Sequence, residues 1–325
     1  MDLSVFFAGT AGSIPTARRG LPALLVRRGG ERILFDCGEG TQRQLVRSLG
    51  LADVDEVFLT HFHADHWLGL PGMLKTFDLR GRERPLTIHG PPGLRDVMAL
   101  GLRAAGRVGF ELELVELEPA QVLEREGYAV AAVPVAHRGA AYGYVLYEHP
   151  RPGRFDPVAA AELGVAPGPD FGRLQRGEAV AGVAPEQVLG PPRPGRKLVI
   201  SGDTTPCEAL RVAAHGADVL VHEATFADSE RERAGETRHS TARQAAELAR
   251  QAGVTLLALT HLSTRHPAAV LRDEAREAFA NTVLPRDFDT IEIPFPERGE
   301  PSLVRWEDHG AGEAEAAQGL VEPAR

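Results

Sequence analysis

The segment "THFHADHWLGLPGML", residues 60–74, places His61, His63, Asp65 and His66 within six positions, directly after the apolar run "EVFLT". Three imidazoles and a carboxylate suit a borderline divalent cation such as Zn²⁺ or Mn²⁺. Residues two apart on an extended segment share a side, so His61 and His63 can hold one ion. A turn at Ala64 can aim Asp65 and His66 at a second. A solvated histidine-rich loop is a poor account of this spacing at the end of an apolar strand.

Two ions need further donors, and the chain offers polar residues just after other apolar runs. "AAVPVAH" ends in His137, "KLVISGD" in Asp203, "ADVLVHE" in His222 and Glu223, and "VTLLALTH" in His261. If each run is a strand, these ends can meet at one edge of a sheet. Asp203, with two oxygens, is suited to bridge the ions, and His222 reads as structural. His89, His149, His215, His266 and His309 lack such placement and read as ordinary surface or core histidines.

The elements that must position these groups follow from pattern. "LSVFFAG", "DEVFLTH" and "PLTIHG" read as strands, and "ALLVRRGGERILFDCGEG" as two strands around a Gly-Gly turn. "TQRQLVRSLG" reads as a short helix capped by Thr41, and "WLGLPGMLKTFDLRG" and "LRDVMALGLRAAG" as helices. "FELELVEL", "YAVAAVPVAH" and "YGYVLYE" are strands. The second half repeats the mixture: strands at "KLVISGD", "ADVLVHEATF", "VTLLALTH" and "TIEIPF", and helices at "CEALRVAAHG", "STARQAAELARQAG" and "PAAVLRDEAREAFAN". An α/β arrangement, with a sheet-on-sheet core and helices outside, would bury these elements. Residues 149–196, rich in Gly, Pro and Arg, are too long for an ordinary loop. The polar tail 309–325 is expected to be disordered.

With 325 residues and 43% hydrophobic content, one large domain over 1–308 carrying 149–196 as an insertion fits the chain. The start has no basic region before its apolar run, and no run approaches the ~20 residues of a membrane span. The two cysteines, Cys37 and Cys207, form no CxxC pattern, so a reducing, cytoplasmic setting and no membrane association are expected. The net charge of −9 argues against a generic nucleic-acid coat. Charge is uneven, however: residues 150–197 hold seven Arg/Lys against five Asp/Glu, about +2, which leaves about −11 for the rest.

The H-x-H-x-D-H run with separate His, Asp and His positions resembles the metallo-β-lactamase superfamily. The segments "LFDCGEGTQRQL", "HRGAAYGY", "GPPRPGRKLVISGDT", "HEATF", "RHSTARQAAELA" and "LTHLSTR" make the chain similar, within it, to the ribonuclease Z family of tRNA 3′-processing endonucleases. That resemblance spans roughly residues 3–297. It implies an αββα sandwich, two Zn²⁺ per subunit and, for chains of this length, a homodimer. One zinc would be held by His61, His63 and His137, the other by Asp65, His66 and His261, with Asp203 bridging. It also implies that 149–196 is an arm that grips precursor tRNA, with glycines and prolines forming a stiff but hinged stalk. Two departures stand out. In the stretch "PTARRG", Pro15 and Arg19 match a family loop linked to sensing the CCA end, but Ala17 and Gly20 replace its lysine and asparagine. His266 stands where an aromatic is common.

For phosphodiester cleavage, paired cations acidify water and screen the phosphate. Asp65 would hold a metal with one oxygen and orient the attacking water with the other. His239 would protonate the leaving 3′ oxygen, held by Glu223, which raises its pKa. The products would be a tRNA 3′-hydroxyl and a 5′-phosphorylated trailer. A superfamily phosphodiesterase acting on small or cyclic substrates needs no such arm. An RNA-binding protein with structural metals is disfavoured, because structural zinc sites are closed.

Overall fold

A computed structural model describes residues 2–51 and 53–306. The tail expected to be disordered, 309–325, lies outside the described residues, as do the last two residues of the 1–308 domain boundary.

The first half runs β1 (Leu3–Gly9), β2 (Ala23–Arg28), β3 (Glu31–Phe35), α1 (Thr41–Arg47), β4 (Glu56–Phe58), α2 (Ala64–Trp67), α3 (Leu70–Leu79), β5 (Leu86–Gly90), α4 (Leu94–Ala105) and β6 (Leu112–Glu116). The chain then forms β7 (Val122–Arg125), β8 (Tyr128–Pro134) and β9 (Tyr142–Glu148), followed in the insertion by α5 (Pro157–Glu162) and α6 (Pro169–Gln175). It continues through β10 (Lys197–Ile200), α7 (Glu208–Ala213), β11 (Val219–Glu223), α8 (Arg231–Thr237), α9 (Ala242–Ala252), β12 (Leu256–Thr260), α10 (Ala268–Ala278) and β13 (Thr282–Val283). Finally β14 (Thr290–Glu292) and β15 (Ser302–Val304) return to the first sheet.

The sheets have strand orders β15-β14-β1-β2-β3-β4-β5-β6 and β13-β12-β11-β10-β9-β8-β7. Pairing is parallel from β3 to β6 and from β10 to β13. Parallel neighbours need crossovers, which explains the alternation of strand and helix in both halves. Strand alternation gives each sheet two buried faces. Val5, Phe7, Ile33, Phe35, Tyr144, Leu198, Val221 and Ala258 meet between the sheets. Phe6, Leu34, Val57, Ile88, Leu45, Met73 and Met98 form the layer under α1, α3 and α4. Val199, Leu220, Leu257, Leu210, Ala245, Ala249 and Leu271 form its counterpart under α7, α9 and α10. The result is the expected αββα sandwich.

Two expectations need correction. Thr41 does not cap α1. It is the first helical residue, its hydroxyl donating to Gly38 O (2.8 Å), and the cap position is Gly40 at φ +87°, a conformation that favours glycine. The insertion is also more than a Gly/Pro stalk. Bridges Arg151↔Arg193 and Phe155↔Leu189 zip its root into a narrow ladder. Its head buries Ala160, Val165, Leu174, Val180, Val183 and Val188 around Phe155 and Phe171. Among the described residues, no helix is long and apolar enough to cross a membrane.

Candidate metal centre

Parallel strands of a sheet end on the same edge, and loops leaving that edge can converge. Here β4 leads to His61, His63, Asp65 and His66, β8 to His137, β10 to Asp203 and β12 to His261. The expected donors come together in two groups whose ligand atoms lie within 4.8 Å of one another: His61, His63, His137 and Asp203, and Asp65, His66 and His261.

Their spacing tests whether a cation fits. Tetrahedral bonds of about 2.0–2.1 Å put ligand atoms about 3.4 Å apart. In the first group His61 Nε2 lies 3.0 Å from His63 Nδ1 and 3.7 Å from Asp203 Oδ2, and His137 Nε2 lies 3.2 Å from His63 Nδ1. In the second, His66 Nε2 is 3.4 Å from His261 Nε2 and 3.6 Å from Asp65 Oδ2, and His261 Nε2 is 3.4 Å from Asp65 Oδ2. Asp203 Oδ2 stands 3.4 Å from His66 Nε2 and 3.3 Å from His261 Nε2, so it faces both groups. The donors fit two divalent ions. His63 is exposed and marks the opening, while His61, His66, His137, Asp203 and His261 are buried.

The supporting contacts include residues that the sequence reading did not single out. Asp36, just after β3, accepts from His66 Nδ1 (2.8 Å), Thr60 N (2.8 Å) and the Thr60 hydroxyl (2.9 Å). The Thr60 hydroxyl also lies 3.0 Å from His61 Nδ1. Ser13 N donates to Asp65 Oδ2 (2.8 Å), and Arg238 O lies 2.8 Å from His137 Nδ1. Contacts of this kind fix ring orientation and leave the opposite nitrogen to the metal. Among the described residues, seven non-glycine residues have left-handed φ, and Ser13, Asp36, Arg238 and His261 are four of them. Such conformations collect where function demands a fixed geometry.

Charge is set by burial against nearby carboxylates. Burial pushes His61, His63 and His137 toward the neutral, ligating form. At His66 burial is outweighed by Asp203 and Asp36, which hold it well above the usual range. At His239 burial again opposes the charged form, but Glu223 and Asp203 raise it to about 9. His239 Nδ1 is 2.9 Å from Glu223 Oε1 and 3.8 Å from Asp203 Oδ2. His239 with Asp203 and His261 could also group around an ion, but the short bond to Glu223 makes it a hydrogen-bond partner.

The remaining histidines are placed apart from the donor groups. His222 is buried, its Nδ1 2.7 Å from Glu223 O. His89 stacks on Phe58 and lies 3.0 Å from Glu56. His149 contacts Glu124, His215 belongs to neither donor group, and His309 lies outside the described residues. His266 and Arg265 both pair with Glu230, so His266 is engaged away from any stacking role. Arg19 is turned inward, donating to the Thr10 hydroxyl and Pro285 O, and burial lowers its pKa.

A profile of the metallo-beta-lactamase superfamily matches residues 19–261. A ribonuclease Z of Myxococcus xanthus (strain DK1622) is 51% identical over 305 residues, covering 90% of this chain and 98% of that protein. A ribonuclease Z of Halorubrum lacusprofundi is 48% identical, covering 92% of this chain and 100% of its own length. Among solved structures, human tRNase Z, short form, superposes with a TM-score of 0.67 at 28% identity, covering 90% of this chain and 99% of that one.

Proposed function

The chain belongs to the metallo-beta-lactamase superfamily and, within it, to the ribonuclease Z family, and on that premise we propose that it is a metal-dependent endoribonuclease that removes the 3′ trailer from precursor tRNA. The observation that carries the reading is the convergence of seven donors from four strand ends at ion-compatible spacing. His61, His63 and His137 would hold one zinc and Asp65, His66 and His261 the other, with Asp203 between. When bound, the pair supplies Lewis-acid charge against the phosphate and lowers the pKa of water.

The chain's own residues do the rest. Asp65 Oδ2 faces His66 and His261, which leaves Oδ1 to orient the attacking water. His239, its Nδ1 held by Glu223, presents Nε2 as proton donor to the leaving 3′ oxygen. The tRNA body leaves with a 3′-hydroxyl and the trailer with a 5′-phosphate. The insertion 149–196 supplies the grip on the tRNA, and the enzyme works as a cytoplasmic homodimer.

A 3′-extended tRNA transcript tests the reading. Cleavage at the trailer junction is expected with zinc and none with excess chelator, and metal analysis should give two ions per chain. Trailer cleavage that survives complete metal removal, or retention of one ion at most, would overturn it.

A further inference from the structure

Thr225 lies just past β11 and is buried. Its hydroxyl is 2.8 Å from His261 Nδ1, 2.7 Å from Glu223 Oε2 and 3.3 Å from His239 Nδ1. A hydroxyl has one proton to give, which limits how these contacts can be satisfied. The nitrogen of His261 that faces Asp65, His66 and Asp203 is Nε2. In a neutral ligating imidazole the ring proton then sits on Nδ1, and Nδ1–H donates to Thr225 Oγ. The hydroxyl proton is left for Glu223 Oε2, which as a carboxylate only accepts. Glu223 Oε1 accepts from His239 Nδ1–H (2.9 Å). Backbone N–H groups of Thr204 (3.0 Å, to Oε1) and Thr225 (3.1 Å, to Oε2) complete the carboxylate's partners.

We propose that Thr225 is a positioning residue that joins the ligand His261 to the proton donor His239 through Glu223. The direction of the Thr225 bonds follows from which nitrogen of His261 is the ligand, and that of the His239 bond from the carboxylate, which only accepts. Thr225 thus holds His261 directly and His239 through Glu223. The proposal rests on the nuclease reading above for the role of His239. The link from Thr225 to His261 stands on geometry alone.

The test compares Thr225→Val and Thr225→Ser in the full chain. Zinc affinity is measured against a competing chelator. Cleavage at saturating zinc is measured on 3′-extended tRNA, whose leaving alkoxide needs a proton, and on bis(p-nitrophenyl) phosphate, whose leaving phenolate does not. Thr225→Val should weaken the second zinc about 10-fold and slow tRNA cleavage about 10–100-fold, with a much smaller loss on the activated ester. Thr225→Ser should restore both. In a His239→Ala background the valine should add no further loss on tRNA at saturating zinc.

Equal losses on both substrates, unchanged zinc affinity, or failure of serine to rescue would overturn the proposal. If the valine variant does not fold, imidazole ¹⁵N NMR of the zinc-loaded wild type decides. The chain requires protons on Nδ1 of both His261 and His239, and a bare Nδ1 on His261 would sink it. A wild type that leaves 3′-extended tRNA intact would overturn the nuclease reading, whereas the zinc and NMR results would still judge the Thr225–His261 link.

Discussion

At the scale of single residues, the proposed metal donors and the proposed proton donor should have separable effects. His239→Ala removes a group bonded to Glu223 and belonging to neither principal donor group, so turnover on precursor tRNA should fall about 10²–10⁴-fold. Zinc content, read by atomic emission, should stay at two per chain; loss of metal would show His239 to be a ligand. Asp36→Ala should act in the opposite way. Removing the acceptor for His66 Nδ1 and Thr60 should weaken metal binding about 10–100-fold, and chelator titration checks this. The donors themselves were legible because each is a metal-type residue at the end of an apolar run. Asp36 and Thr225 were not singled out, because an aspartate or threonine that orients a ligand has no spacing rule of its own. One sign was available for Asp36: a carboxylate at a strand end, in "LFDCGEG", matches the placement that flagged Asp203.

At the scale of elements, most strands and helices were readable, and three edge strands were not. α9 carries its own signal: Thr241 accepts from Gln244 N, and the Gln244 side chain accepts from Thr241 N, a reciprocal cap written in "TARQ". The edge strands β7, β13 and β15, with two to four residues each, lack the flanking apolar run that made the three-residue β4 and β14 readable in "DEVFLTH" and "TIEIPF". The fold of the arm was hidden for another reason. Its core residues are scattered among Gly and Pro, and only the closed ladder at its root brings them together. The ladder also shows where to cut. Gly190 N donates to Arg154 O at 2.9 Å, so removing 155–189 joins points already in contact. The shortened chain should keep two zinc ions and hydrolysis of bis(p-nitrophenyl) phosphate, yet lose precursor tRNA cleavage. Equal loss on both substrates would deny the arm a binding role. The count of seven Arg/Lys overstates the cations open to a ligand: Arg173 and Arg176 share Glu178, Arg151 and Arg193 share Glu297, and Arg196 is buried. Exposed pairs of this kind hold weakly, so phosphates can displace them.

At the scale of the whole molecule, the two sheets are joined at both ends by polar groups. One end carries the candidate metal donors. At the other, Glu148 at the end of β9 accepts from Arg196 Nε (2.7 Å) and Nη2 (2.8 Å) and from Arg28 Nε (3.1 Å) on β2 of the opposite sheet. Arg196 also donates to Ile293 O (2.8 Å), and Phe295 lies between Arg196 and Arg151. Burial alone would raise the Glu148 carboxyl, but the bonds and charges of Arg196 and the charge of Arg28 hold it below its ordinary value. An acid with a lowered folded pKa gives its full stabilisation above the unfolded value, about 4.3. That stabilisation is lost as pH falls through the lower folded value. Glu148→Gln removes the buried carboxylate that Arg196 and Arg28 share, while Arg28 keeps its pair with Glu31. It should cost about 3–5 kcal/mol, and each kcal/mol lowers the melting point of a 325-residue chain by about 1.5 °C. The loss of stability between pH 5 and lower pH should flatten in the variant, because the group that titrates is gone. The network lies at the sheet edge opposite the metal donors, so zinc content and activity below the new melting point should hold. Thermal melts of both proteins from pH 7 down to pH 3.5 decide it: parallel acid limbs would show that Glu148 contributes nothing to acid sensitivity.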